Sequence, residues 1–286
     1  MSWQTLAAAD LEREYSPSSM TGGHYQTFLD QYRSKSQEAR ATVRGLSDLL
    51  YGSRPQHRLD FFPASVSNAP VVIFIHGGYW QELSKNDSAF PALGIHSNRT
   101  AYCAVGYELA PQATVRDIVE QCATAVSWVR GNSDLLGIDP TRIIVAGSSA
   151  GAQLAAMSAL RLRADADTRD VVRGLVLLSG IYDLCPLVKT SVNDALHLDM
   201  AGAREVSPQL HAVDNFPRSI VAWGAIETAE FKRQSRAFAG ALDAKGRLFS
   251  QFQVPDRNHF DLPFDLGDRT TILGEAVLAL IESTKG

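Results

Sequence analysis

Residues 142–160 read RIIVAGSSAGAQLAAMSAL. An apolar run, Arg142–Ala146, leads into Gly147-Ser148-Ser149-Ala150-Gly151 and then straight into an alanine-rich stretch that favours a helix. The five middle residues fit G-x-S-x-G. A serine on so sharp a strand-to-helix turn is forced into a strained backbone, and small neighbours let the turn close. Its hydroxyl then stands exposed at the carboxyl edge of the sheet, before a helix N-terminus that favours developing negative charge. Ser149 holds the serine position of the motif and Ser148 falls one place early. A plain small-residue turn would also fit the five residues, but the strand before and the helix after make Ser149 a candidate nucleophile.

Similar runs recur on both sides: Val71–Ile75 (VVIFI), Ala101–Gly106 (AYCAVG), Leu175–Ser179 (LVLLS) and Ser219–Trp223 (SIVAW). They are apolar on successive positions rather than alternating. Such runs read as strands buried on both faces, hence a parallel sheet covered by helices. Leu59–Phe62 and Arg247–Val254 are weaker flanking candidates, the second alternating as an edge strand does. Between them, Thr114–Arg130 is apolar at three- and four-residue steps, and Ala150–Arg163, Thr228–Ala244 and Thr270–Ser283 also read as helices. Strand and helix in alternation give an α/β class with a mostly parallel central sheet of about eight strands. Two regions break the rhythm. Residues 1–50 are polar and read as helical from His24 to Val43. Residues 184–216 carry Pro186, Pro208 and no clean strand, and suit a lid-like insertion; the two regions together would form a small cap. No linker divides the chain, so 1–286 is expected to be one domain.

Upstream of the serine, VVIFI runs into His76-Gly77-Gly78-Tyr79-Trp80. Acyl transfer needs donors aimed at the oxygen that becomes an oxyanion, and amides in a glycine-rich turn can supply them. Gly78 and Tyr79 are the expected donors, completed by the amide of Ala150 after the nucleophile. His76 suits a structural role that orders the loop. On a sheet of this kind the acid and the base follow the serine in chain order. His259 lies in Pro255-Asp256-Arg257-Asn258-His259-Phe260-Asp261, between the last strand and the last helix, where the base belongs. His197 and His211 fall in the insertion. After SIVAW comes Gly224-Ala225-Ile226-Glu227-Thr228-Ala229-Glu230. Glu227 is placed to turn back to the sheet edge and hold the imidazole, whereas Glu230 falls inside the next helix.

Composition narrows the function further. The chain has 286 residues with Lys+Arg 27 against Asp+Glu 31, a formal net charge of -4. There is no basic stripe, so a nucleic-acid partner is not expected. Cys103, Cys122 and Cys185 are odd in number and far apart, which fits free thiols in a reducing compartment. No apolar run nears the ~18 residues of a membrane span, and MSWQTLAAADLERE lacks the features of a signal peptide, so a cytoplasmic protein with no membrane partner is expected. Scattered histidines and the lack of HExxH argue against a metal centre, and no cofactor is expected. A homodimer is left open.

The motifs together resemble the kynurenine formamidase (arylformamidase) branch of the α/β-hydrolase superfamily, related to the hormone-sensitive-lipase-like esterases. The matching pieces are Tyr15-Ser16-Pro17-Ser18, YG and RLDFFP within 51–63, HGGYW at 76–80, GYELAP at 106–111, GSSAG at 147–151, SGIYDL at 179–184 and Glu227-Thr228-Ala229-Glu230-Phe231. The resemblance implies an α/β-hydrolase fold, oxyanion donors at Gly78 and Tyr79, an acid at Glu227 where many members carry Asp, and no cofactor. It also implies hydrolysis of the formamide of N-formyl-L-kynurenine. Tyr15, Tyr79, Trp80 and Tyr182 fall near the expected pocket and could stack an aryl ketone, though packing is the plainer reading of any one of them. A general carboxylesterase or an amide or carbamate hydrolase, acting on a small-molecule aryl amide or ester, is the alternative. A non-catalytic scaffold would be expected to have lost a triad member.

Overall fold

A computed structural model describes residues 3–285. Eight strands form one sheet: β1 (Leu46–Leu50), β2 (Arg58–Phe62), β3 (Ala69–Ile75), β4 (Ala101–Val105), β5 (Ile138–Ser148), β6 (Val172–Leu178), β7 (Arg218–Ile226) and β8 (Leu248–Asn258). Their spatial order is β1-β2-β4-β3-β5-β6-β7-β8, with β2 antiparallel to both its neighbours, β1 and β4, and every pair from β4 to β8 parallel. This is the α/β-hydrolase arrangement.

Burial explains which strands carry the strongest signal. Every residue of β3 and β4 is buried, because helices cover both faces of the sheet. Alternate side chains then enter two separate cores. Val71, Ile73 and Ile75 pack with the helices Val115–Gly131, Ala150–Arg163 and Ala229–Asp243. Val72 and Phe74 pack with the helix Ile272–Glu282 and with Ala39 from the helix Tyr25–Thr42. The helix Val115–Gly131 begins at a capping box, in which Thr114 and Asp117 satisfy each other's backbone amides. The two sheet edges differ: β8 is long and only partly buried, and β1 is largely exposed.

The two irregular regions divide their work unevenly. Residues 184–216 fold into short helical turns, and Leu184, Leu187, Leu196, Val206 and Phe216 drop into the core below. The N-terminal segment crosses the carboxyl edge of the sheet. It adds a helix, Ala8–Glu14, to the expected one at Tyr25–Thr42. Among the described residues, no helix is long and apolar enough to cross a membrane.

Candidate active site

Five loops leave the carboxyl ends of parallel strands at one edge, the place where open α/β sheets bind ligands. His76 follows β3, Ser149 follows β5, Ser179 follows β6, Glu227 follows β7 and His259 follows β8. Chain topology alone therefore gathers residues that are distant in sequence.

Ser149 sits at φ 58 and ψ -124, a region that side-chain-bearing residues rarely enter and that costs about 1–3 kcal/mol. The strain persists because neighbours fix it. The Ser149 amide donates to the Leu178 carbonyl at 2.8 Å, and the helix Ala150–Arg163 starts at the next residue. A Cβ on Gly147 would run into the Gly151 carbonyl, and one on Gly151 into the Ile75 carbonyl. Only glycine lets the turn and the helix approach the sheet this closely. Ala150, at the first helical position, has no intrahelical acceptor for its amide.

Glu227 is 2% exposed. Its Oε1 accepts from Ser179 Oγ at 2.6 Å and from the Gly224 amide at 2.5 Å. Its Oε2 lies 3.3 Å from His259 Nδ1. The imidazole is flanked by Phe231 at 4.6 Å and Phe260 at 5.4 Å, both edge-on. Asp261, the nearest carboxylate in sequence, is turned away: it accepts from the backbone and side chain of Asn258. Ser149 and His259 line one cavity of about 350 Å³. Cys103 and Cys122 are fully buried, and burial pushes both thiols far above the ordinary range, so neither supplies a thiolate.

The turn after β3 is left-handed at three consecutive residues: Gly78 (φ 97), Tyr79 (φ 51) and Trp80 (φ 61). Among the described residues, no acceptor within the protein pairs with the amide of Gly78 or Tyr79. His76 is buried, and burial lowers its pKa to about 4. It stacks on Tyr107 at 4.1 Å, with Nδ1 2.9 Å from the Gly77 carbonyl, as suits a residue that orders the loop. His197 and His211 are exposed.

Of the expected substrate-facing aromatics, the structure brings Tyr15 and Tyr79 to the cavity and places Trp80 and Tyr182 elsewhere. Trp80 is 0% exposed, and its Nε1 donates to Gln153 Oε1 at 3.0 Å. The positive φ at Tyr79 and Trp80 turns the indole beneath the loop. Tyr182 is likewise buried, stacked on Phe238 at 4.4 Å. Other rings take their place at the wall: Tyr25, Tyr32, Phe90 and Phe260. Tyr25, Leu29 and Tyr32 stand at helical spacing, a signal that marks a helix face without saying what the face meets. Ser16, Ser18 and Ser191 line the same cavity.

Comparison with known proteins agrees with this architecture. The family described as alpha/beta hydrolase fold matches residues 72–260. A kynurenine formamidase of Danio rerio is 32% identical over 292 residues, covering 98% of both chains. One of Salmo salar is 30% identical, again covering 98% of both. A hyperthermophilic esterase from the archaeon Pyrobaculum calidifontis shares the fold with a TM-score of 0.76 at 20% identity, over 96% of each chain. The chain belongs to the α/β-hydrolase family, on the branch that holds the kynurenine formamidases.

Proposed function

We propose that this hydrolase removes a small acyl group from an aryl amide through Ser149, His259 and Glu227, and that its substrate is N-formyl-L-kynurenine, cleaved to formate and L-kynurenine. The observation that carries the reading is the buried Glu227 carboxylate, held by Ser179 and Gly224 on one oxygen and facing His259 with the other, at the same sheet edge as the strained Ser149. A carboxylate so held fixes the imidazole tautomer with Nε2 free to accept a proton.

The chemistry follows from those roles. Ser149 Oγ attacks the formyl carbon while His259 takes its proton. The amides of Gly78, Tyr79 and Ala150 receive the charge that develops on the carbonyl oxygen. The tetrahedral intermediate collapses, the carbon–nitrogen bond breaks, and His259 returns the proton to the departing aryl amine. Water then attacks the formyl-enzyme, again losing a proton to His259, and formate leaves as Ser149 regains its hydrogen. The aryl side of the reading rests on the ring-lined wall of Tyr25, Tyr32, Phe90 and Phe260, and on the similarity to kynurenine formamidases. A formyl group presents a single hydrogen on its acyl side, so the leaving group must supply the binding energy.

The test is a substrate series. N-formylkynurenine is expected to exceed p-nitrophenyl acetate, butyrate and octanoate in kcat/KM by at least about tenfold, equal to ~1.4 kcal/mol of added transition-state binding. Among the esters, activity should fall steeply with chain length. An optimum at butyrate or longer, with no formylkynurenine turnover, would make the protein a general carboxylesterase.

A further inference from the structure

The loop that carries two of the proposed oxyanion donors does not hold its shape unaided. Tyr79 and Trp80 are bulky residues at consecutive left-handed positions, an arrangement that persists only where surroundings enforce it. Most of the enforcement is visible. The Gly78 carbonyl accepts from the amides of Gln81 and Glu82, both at 2.9 Å. The Trp80 carbonyl accepts from Ala110 at 2.8 Å, and its indole is tied to Gln153. These bonds fix the residues on either side of Tyr79. Tyr79 itself is anchored by its phenol, which donates to the carbonyl of Tyr15 on the N-terminal segment.

That carbonyl is a firm post. The Tyr15 hydroxyl donates to Glu230 Oε2 at 2.9 Å and accepts from Gln234 Nε2 at 2.8 Å. The preceding residue, Glu14, accepts from Thr228 Oγ1 through its carbonyl at 2.6 Å and from the Glu230 amide through its carboxylate at 3.1 Å. Thr228 directly follows Glu227, and Glu230 stands three residues beyond it. The pair Glu14–Tyr15 thus spans from the loop after β3 to the loop after β7, strands that β5 and β6 separate in the sheet.

Resting on the serine-hydrolase reading above, we propose that Tyr79 is a positioning residue: its phenol, tied to the Tyr15 carbonyl, aims its own backbone amide at the oxyanion. The N-terminal segment is then part of the support of the oxyanion hole as well as a cavity wall. Donor geometry is exacting here, since a useful donor lies about 2.7–3.1 Å from the developing charge. Loss of a whole donor costs about 10²–10³ in kcat, so a donor that remains but points poorly should cost about tenfold.

Tyr79→Phe keeps the ring and removes the tether. Its kcat should fall about tenfold on both N-formylkynurenine and p-nitrophenyl acetate, with KM within about twofold, because the loss is confined to the transition state. Inactivation by a phosphonofluoridate, which uses the same amides, should slow by the same factor. Thr271→Ala removes the N-cap of the helix Ile272–Glu282, whose residues do not line the cavity. It should lower Tm yet keep kcat within about threefold. The proposal is overturned if Tyr79→Phe retains kcat, if its KM rises as much as kcat falls, or if both variants lose kcat in proportion to Tm. Because an ester is assayed alongside the formamide, an enzyme that ignores formylkynurenine still reports on the tether.

Discussion

Two carboxylates stand three residues apart after β7, and their partners separate their roles. Glu227 keeps one oxygen for His259 and secures the other with Ser179 and Gly224. Glu230 is fully engaged elsewhere: Arg233 grips both its oxygens, at 2.8 and 2.7 Å, and Tyr15 donates to one of them. It lies in the first turn of the helix Ala229–Asp243, where negative charge is favoured. Glu227→Gln should therefore lower kcat by roughly 10²–10⁴ through the wrong imidazole tautomer, with KM little changed. Glu230→Gln should leave kcat within about threefold and reduce stability by on the order of 1–2 kcal/mol, since it weakens a charge-assisted bond to Arg233. Steady-state kinetics and thermal melts on the two variants check both halves. Equal losses of kcat would assign the wrong carboxylate to the acid.

The helix Tyr25–Thr42 brings Tyr25 and Tyr32 to the cavity wall, and its far end is locked. Ser36 Oγ accepts from the amides of Ala89 and Phe90, at 3.0 and 3.1 Å. Arg40 reaches the buried Asp60 on β2 at 3.0 Å, and Lys85 joins the same carboxylate at 2.7 Å. Midway, Tyr32 stacks on Phe90 at 4.8 Å and donates to the Phe260 carbonyl at 2.5 Å. The near end is freer: Tyr25 is 37% exposed and 6.0 Å from Phe260. A substrate ring entering there would complete an aromatic pair worth about 0.5–1.5 kcal/mol. Tyr25→Ala should raise KM for N-formylkynurenine by about three- to tenfold, the ratio that energy corresponds to, and leave kcat/KM for ethyl formate unchanged. Equal losses on both would mean that Tyr25 supports the site as a whole rather than the ring.

At the scale of the whole molecule, the sheet does the assembling, and this decides what the sequence discloses. Strands buried on both faces appear as unbroken apolar runs, so β3 to β7 can be read directly, whereas the crossover that sets β4 between β2 and β3 exists only in the folded sheet. Ser149 and His259 are legible for the same reason, each standing where a strand ends against a helix or a loop. β1 is invisible because its surface is mostly solvent, and only pairing with β2 makes it a strand. The start of β5 at Ile138 is obscured by Pro140. Trp80 and Tyr182 were legible as aromatics near the motifs, but which way a side chain turns depends on backbone torsions and on partners such as Gln153 that lie on other elements. Likewise the helix face at Tyr25, Leu29 and Tyr32 shows in the spacing, whereas its meeting with Phe260 exists only in the folded chain. All of these placements converge on one claim, that Ser149 carries the acyl group. Intact-mass and peptide mapping after treatment with a phosphonofluoridate tests it most directly. The expected result is one label per chain, on Ser149, with turnover lost in step, while Ser149→Ala folds normally, takes no label and loses on the order of 10⁴–10⁶ in kcat. A label on any other residue, or near-normal turnover by Ser149→Ala, would contradict the account.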